Sequence, residues 1–183
     1  MSATYPELSE DLVAFIRAQK VFFVATAALG TEGHVNVSPK GYESLVVLDG
    51  RRVAWLDLGG SGAETLAHLR ENGRITLMFC AFEGAAKIVR LHGKGRAVAF
   101  EEPEFGELMA LFPGFQRARA IVVVDVERIS DSCGWGVPLL EFRAERDQLR
   151  RHVDHRPFAE WAERRYQANA VSIDGLPALV RPG

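Results

Sequence analysis

The stretch from Val53 to Phe82 decides the fold: it reads VAWLDL, GGSGAET, LAHLREN, G and RITLMFCAF. These parts are typical of an apolar strand, a glycine-serine loop, a helix from Gly62 to about Asn72, a glycine stop at Gly73 and a second strand. The loop runs directly into the helix start, where backbone N–H groups lack partners and the helix dipole is positive. Small residues let an anion approach that backbone closely. The stretch therefore predicts a phosphate site within Gly59–Thr65.

Most of the remaining chain is typical of β-strands joined by short turns. Runs that are β-branched and aromatic, or that alternate in polarity, predict seven strands. These are Lys20–Ala28, His34–Ser38, Leu45–Leu48, Val53–Leu58, Arg74–Phe82, Lys87–Phe100 and Arg119–Ile129. We expect Pro39 to end the second strand, because proline cannot donate a ladder hydrogen bond, and Gly93 and Gly95 to mark a bulge in the sixth. Because only one strand–helix–strand unit occurs, an antiparallel barrel is favoured over a doubly wound sheet.

Three further helical segments are predicted. Thr4 and Glu7 have the spacing of a capping box, and an amphipathic pattern follows them to about Gln19. A short helix is expected over Pro103–Phe112. The charged segment from Leu139 to about Ala168 is helical in pattern and forms a carboxyl-terminal extension.

Composition excludes several classes of protein. With 183 residues, 48% of them hydrophobic and 25% charged, one globular domain is expected. The net charge of −2 argues against a nucleic-acid-binding protein. No apolar run approaches the roughly 20 residues of a membrane span, and the polar, acidic start MSATYPELSEDL is not typical of a signal peptide. Two cysteines, Cys80 and Cys133, make no disulfide framework, so we expect a reducing, cytoplasmic location.

Two readings compete for the glycine-serine loop besides phosphate binding. Ser61 and Thr65 are also common residue types at ordinary helix caps. The loop nearly matches the nucleophile elbow G-x-S-x-G, with Ala63 in place of the last glycine, which would make Ser61 a hydrolase nucleophile. The short chain and the missing parallel-sheet pattern disfavour the hydrolase.

Other candidate residues lie outside that loop. Lys40 follows a strand in NVSPKG and either reaches a phosphate as a point charge or is a solvated surface lysine. Trp135 lies between two glycines in SCGWGVP, and either packs on an aromatic ring or subunit interface or plugs the barrel end. No metal site is predicted, since the histidines lack ligand spacing, although His152 and His155 share a helix face.

Five strings in order along nearly the whole chain resemble one family. They are NVSPKG, WLDLGGSGAETLAHLRENGRITLMF, KIVRLHGKGR, DSCGWGVP and NAVSIDGLPAL. They are similar to the pyridoxamine 5′-phosphate oxidase-like family of split barrels that bind flavin mononucleotide (FMN). The similarity is greatest to a bacterial branch in which S-G-N-E-T and D-S-C-G-x-G-V-P recur, with Ala63 here standing where that branch usually has asparagine.

The resemblance implies a mainly β (α+β) fold: a six-stranded antiparallel split barrel with flanking helices. It would form one FMN-binding domain over residues 1–183, with the helical extension from about 139. It also implies a homodimer with two FMN sites at the subunit interface. The cofactor-binding residues it implies are Asn36, Val37, Ser38 and Lys40 along the flavin and its phosphate, Asp57, Ser61 and Thr65 on the phosphate side, and Trp135 near the interface.

The function implied is that of an FMN-dependent oxidoreductase passing hydride or electrons to or from a small molecule. The flavin carries such chemistry, so no catalytic side chain is assigned. The substrate motif of the true oxidase, with its arginine and tryptophan, is not recognisable, so oxidation of pyridoxamine phosphate is not expected. The alternative is a binding protein of the same fold for a deazaflavin, haem or another tetrapyrrole, with His34, His68 or His92 as axial ligand.

Overall fold

The computed structural model describes residues 2–149, 151 and 156–181. Strands predominate, and most of them follow one another without an intervening helix. In chain order the elements are β1 (Thr4–Tyr5), α1 (Glu10–Ala18), β2 (Phe22–Ala27), β3 (Val35–Lys40), β4 (Leu45–Asp49), β5 (Arg52–Asp57), α2 (Glu64–Glu71), β6 (Arg74–Cys80), β7 (Ile88–Ala99), α3 (Phe105–Met109), β8 (Ala120–Ser132) and α4 (Phe158–Ala168).

The strands form one antiparallel sheet in the order β3-β2-β6-β7-β8-β5-β4, with β1 paired to the far end of β8. The predicted mainly β, antiparallel fold is therefore confirmed. The sheet has eight strands rather than six, and the two-residue β1 is one of the additions. The long pair β7–β8 shifts register at His92 and Gly93, as the glycine pattern predicted. A Cβ at Gly93 would lie 2.1 Å from the Asp125 carbonyl oxygen, so only glycine can occupy the bulge.

The sheet curls into a barrel around an apolar core. Phe22 of β2 and Trp55 of β5 are separated by three strands in the sheet order, yet their rings make an edge-to-face contact at 6.3 Å. Phe22 also stacks on Phe79 of β6 at 5.6 Å. Leu12 and Ile16 of α1 are buried in the same cluster, because the amphipathic face of α1 packs against the barrel.

A second apolar cluster fixes α4 against the body. Phe100, directly after β7, has its ring 4.9 Å from that of Trp161 and 5.2 Å from that of Tyr166. Leu66 and Ala67 of α2 belong to the same buried cluster. Helices α2 and α4 thus share one buried apolar cluster.

Two local expectations were wrong. Strand β3 continues through Pro39, which pairs with Phe23, because β3 is an edge strand and the missing N–H faces away from the sheet. Thr4 lies in β1, and the cap of α1 is Ser9, whose Oγ accepts a hydrogen bond from the Leu12 N–H at 3.4 Å. The edge position of β3 depends on strands that are distant in sequence. Thr4 pairs with Ser130 of β8, and this pairing competes with a role as a helix cap.

The carboxyl-terminal extension also differs from the expectation. No helix starts at Leu139: residues 139–147 have no regular secondary structure. Instead, the Leu140 N–H donates to the Phe82 carbonyl and the Phe142 N–H to Glu83, so this segment is held by the loop after β6. His152 and His155 lie outside the described residues. Within the part of the chain that is described, no helix combines the length and apolar character that a bilayer span requires.

Candidate functional site

Strand β3 carries a polar row and an apolar row on opposite faces. Asn36, Ser38 and Lys40 are half-buried, whereas Val35 and Val37 are 73% and 61% exposed. The alternation in His34–Ser38 predicted one solvated face, and the apolar face is the exposed one. The polar row is turned toward β2 and α2, and the apolar row faces outward.

Asn36 is the centre of a polar cluster at the edge of the barrel. Its Nδ2 lies 3.1 Å from Thr65 Oγ1, 3.2 Å from Ser38 Oγ and 3.4 Å from Thr26 Oγ1. An amide NH₂ has two hydrogens, so these three oxygens share them. The structure thus brings together three predicted site residues, Asn36, Ser38 and Thr65, which come from β3 and α2.

A buried histidine lies behind this cluster. Nδ1 of His68, on α2, is 2.9 Å from Thr26 Oγ1, and His68 is fully buried. Burial lowers the pKa of His68 against the opposing influence of nearby carboxylates, which favours the neutral ring. Its Nε2 has no hydrogen-bond partner among the described residues. His68 therefore supports the polar cluster from the inside and is closed to solvent.

The Gly59–Gly62 loop is fixed through its backbone. Gly59 has a φ of +83°, which favours glycine, and its N–H donates to Asp57 Oδ1 at 3.1 Å. The Gly60 carbonyl accepts from Asn169 Nδ2 at 3.1 Å and from Arg165 Nη1 at 3.3 Å. The Gly62 carbonyl accepts from Arg119 Nη1 at 2.8 Å.

Helix α2 begins without a side-chain cap. Its N-cap is Ala63, which has no side-chain acceptor, and the helix's first backbone bond runs from the Ala67 N–H to the Ala63 carbonyl. The interpretation of Ser61 and Thr65 as ordinary caps is therefore wrong. Ser61 is exposed two residues before the N-cap, and Thr65 is buried with its hydroxyl oxygen toward Asn36. The N–H groups of the first turn remain available to a ligand.

Asp57 lies beneath the loop. Its carboxylate is 2.6 Å from Arg119 Nη2, and both side chains are buried. Burial alone would raise the pKa of Asp57, but the charges of Arg119 and Lys40 outweigh it and hold that pKa below its usual range. Because Arg119 and the Gly59 N–H occupy the carboxylate, Asp57 acts on the site by shaping the loop.

Positive charge exceeds negative charge around the loop. Lys40 lies with Nζ 4.9 Å from the centroid of the Trp55 ring, and its charge reaches Asp57. Arg165 is half-buried, and burial together with repulsion from Arg119 lowers its pKa. Three cations thus stand against the carboxylates of Asp57 and Glu64. An anion with several oxygens matches this surplus and the uncapped helix start.

Trp135 is not brought to this site within one chain. A Cβ at Gly134 would lie 2.8 Å from the Lys87 backbone nitrogen, so this glycine permits two chain segments to touch. Trp135 is 86% exposed, and the hypothesis that it plugs the barrel end is wrong. The 13 residues of β8 separate its loop from Arg119, a path of about 40 Å at the usual strand rise.

Sequence reasoning missed the residues that hold the loop from behind. Arg119, Arg165 and Asn169 contact it across 57 to 109 positions of the chain. The charged pattern of the last helix indicated a solvated or interface face. One signal was present: Arg119 is the charged first residue of the most strand-like segment, where a buried charge needs a partner.

Comparison with known proteins gives consistent matches. A family model described as pyridoxamine 5′-phosphate oxidase matches residues 8–133. The pyridoxamine 5′-phosphate oxidase family protein ustO of Aspergillus flavus is 37% identical, over 98% of this chain and 78% of its own. Among solved structures, HupZ of Group A Streptococcus has a TM-score of 0.55 at 22% identity, covering 66% of this chain and 90% of its own. A proposed pyridoxamine 5′-phosphate oxidase of Lactobacillus delbrueckii has a TM-score of 0.52 at 16% identity, covering 69% and 97%.

The sequence matches carry the assignment, and the structural likenesses support the fold alone. The family model spans more than half of the chain, and the fungal relative spans nearly all of it. The chain therefore belongs to the pyridoxamine 5′-phosphate oxidase family.

Proposed function

We propose that this protein binds FMN and works as an FMN-dependent oxidoreductase on a small molecule. The observation that carries the proposal is the uncapped start of α2, with the loop carbonyls engaged behind it and three cations around it. A phosphate monoester matches that charge and that set of N–H donors. Family membership supports a cofactor of this kind.

Different residues of the chain would contact different parts of the cofactor. Ser61, Thr65 and the first-turn N–H groups of α2 would bind the phosphate, with Lys40 as an additional charge. Asn36, Val37 and Ser38 would lie along the ring, where their polar groups orient it. The flavin supplies hydride and electron transfer when it is bound, and the chain supplies binding, orientation and access.

We infer that the active form is a homodimer. The exposed valines of β3 form an apolar row on an edge strand that pairs only with β2. A second copy of the chain packed on this row would also bring its exposed Trp135 toward a flavin, since the chain's own Trp135 is distant from the loop.

Both Cys80 and Cys133 are free thiols, which supports a reducing, cytoplasmic location.

The alternatives receive less support from the geometry. An axial histidine for haem needs an accessible ring nitrogen, which His68 does not offer because it is fully buried. His92 and His34 contact Thr76 at 3.0 Å and Asp174 at 2.6 Å through Nδ1, so their Nε2 atoms are the ones that the haem titration below tests. A nucleophile elbow needs a parallel α/β-hydrolase sheet, and every strand pair that flanks Ser61 here is antiparallel.

The test is a titration of the full-length protein with FMN, riboflavin and haem, followed by absorbance and flavin fluorescence. We expect binding of FMN at micromolar concentration or below, with a red-shifted or structured flavin spectrum and weaker binding of riboflavin. Absence of FMN binding would refute the proposal, and a Soret band with haem in its place would favour the alternative. Reduction of the bound flavin by a nicotinamide donor under anaerobic conditions then tests the oxidoreductase assignment.

A further inference from the structure

The carboxyl end of α4 touches the loop that precedes α2. Asn169 Nδ2 donates to the Gly60 carbonyl at 3.1 Å and approaches the Ser61 carbonyl at 3.5 Å, and Arg165 Nη1 donates to Gly60 at 3.3 Å. Arg165 and Asn169 are four positions apart, so they project from one face of the helix end. Both lie beyond residues 8–133, the part of the chain that the family model matches.

The contact is firmly anchored. Asn169 is fully buried, its N–H donates to the Arg165 carbonyl at 2.9 Å, and its own carbonyl accepts from the Leu179 N–H at 2.9 Å. Trp161 is buried against Phe100 earlier in the same helix. The helix end is therefore a rigid support for the loop.

The direction of the carbonyls fixes the direction of the amides. In a planar trans peptide the C=O and the following N–H point to opposite sides, and the described chain has no cis peptide bond. The Gly60 and Ser61 carbonyls point toward α4, so the N–H groups of Ser61 and Gly62 point away from it. Arg119 holds the Gly62 carbonyl, so the Ala63 N–H points away from Arg119. The N–H groups of Ser61 and Gly62 thus share a direction away from α4, and successive N–H groups that do so are an arrangement that binds anions.

We propose that Arg165 and Asn169 are positioning residues that preform the phosphate site through the loop carbonyls, without touching the cofactor. This inference rests on the proposed function. It makes the segment beyond residue 133 part of the cofactor site. It also assigns the recognition of the phosphate, as distinct from the ring, to the contact between α4 and the loop.

The experiment compares the affinities for FMN and for riboflavin, which differ by the phosphate alone. The variants are Asn169→Asp, which places an acceptor against the carbonyls, and Arg165→Gln. Arg164→Gln is the matched control, because Arg164 is on the same helix and pairs with Glu160 at 3.2 Å. We expect each variant to lower the FMN affinity on the order of tenfold, because misaligned loop N–H groups weaken their charge-assisted bonds to the phosphate, with riboflavin affinity nearly unchanged. Tm should stay nearly unchanged in Arg165→Gln and fall in Asn169→Asp, which buries a carboxylate. Arg165→Lys, which keeps a charged donor, should restore most of the affinity.

Each outcome is decisive. Variants that keep the wild-type ratio of FMN to riboflavin affinity, or that weaken both ligands equally, would overturn the inference while leaving the proposed function standing. A wild-type protein that binds neither flavin would instead refute the proposed function. If Asn169→Asp does not fold, the affinities of Arg165→Gln and Arg165→Lys for the two flavins test the inference without it.

Discussion

The carboxylate of Asp57 and the guanidinium of Arg119 form a buried ion pair at 2.6 Å that joins the end of β5 to the residue before β8. The same two side chains bond the Gly59 N–H and the Gly62 carbonyl. One ion pair therefore ties the barrel to both ends of the candidate phosphate loop.

Removing one partner of this pair should be costly. Asp57→Asn leaves the Arg119 charge buried without compensation, so we expect the free energy of unfolding to fall by about 3–5 kcal/mol. Urea denaturation followed by circular dichroism measures this. Asp49→Asn, which breaks the exposed pair with Arg52, is the control and should change stability by about 0–1 kcal/mol. A loss for Asp57→Asn as small as that of the control would contradict the role given to the pair.

Burial of His68 should make stability depend on pH. Its pKa in the folded protein is lowered from the ordinary value of 6.5, so below that pH the unfolded chain binds more protons than the folded one. Stability is therefore fully present above pH 6.5 and decreases as the pH falls toward the folded pKa. His92 has a pKa lowered by burial and by Arg128, and it adds to the same slope.

The measurement is the urea midpoint at several pH values between 7.5 and 5. His68→Gln should flatten the dependence, and the double variant with His92→Gln should flatten it further. An unchanged slope in both variants would show that neither ring is buried in its neutral form.

Lys40 and Thr65 should bind the phosphate directly. Lys40→Met and Thr65→Val should each weaken FMN binding, Lys40→Met by about 1.5–3 kcal/mol because a charge-assisted contact is lost, and leave riboflavin binding nearly unchanged. Isothermal calorimetry with both ligands measures the difference. Lys94→Met, which removes an exposed lysine bonded to the Asn72 carbonyl, is the matched control. Equal affinity in Lys40→Met and Lys94→Met would place the phosphate elsewhere.

The apolar row of β3 should be a subunit interface. A charge at Val37 would have to be buried against the second copy, so Val37→Asp should convert a dimer to a monomer in light scattering after size exclusion. Leu111→Asp, at an exposed apolar position after α3, is the control. A wild-type protein that is already monomeric at high micromolar concentration would refute the proposed dimer.

Local signals in the sequence predicted much of the fold. The stop of α2 at Gly73 with φ of +71° and the bulge at Gly93 both depend on neighbouring residues, and both are present. Pro39 was misjudged because the edge position of β3 is set by the whole sheet. The alternation in HVNVS correctly predicted a strand whose side chains point to opposite faces in turn. Alternation alone does not say which of the two faces packs against the rest of the protein.

The candidate site was only partly predictable for the same reason. Asn36, Ser38 and Thr65 were identified through the family resemblance, and the structure brings Ser38 and Thr65 each within hydrogen-bonding distance of Asn36. The pairing of Arg119 with Asp57 and the contact of Asn169 with Gly60 join residues 62 and 109 positions apart. No local pattern encodes such contacts, because they arise only when the barrel closes and α4 packs on it.

If the outward valines of β3 form the proposed subunit interface, the cofactor content of the protein depends on protein concentration. Where each protomer completes the binding site of the other, dilution that dissociates the dimer also releases the bound ligand. We therefore expect the thermal midpoint and the fraction of flavin retained to rise with protein concentration, and preparations handled at nanomolar levels to lose their colour first.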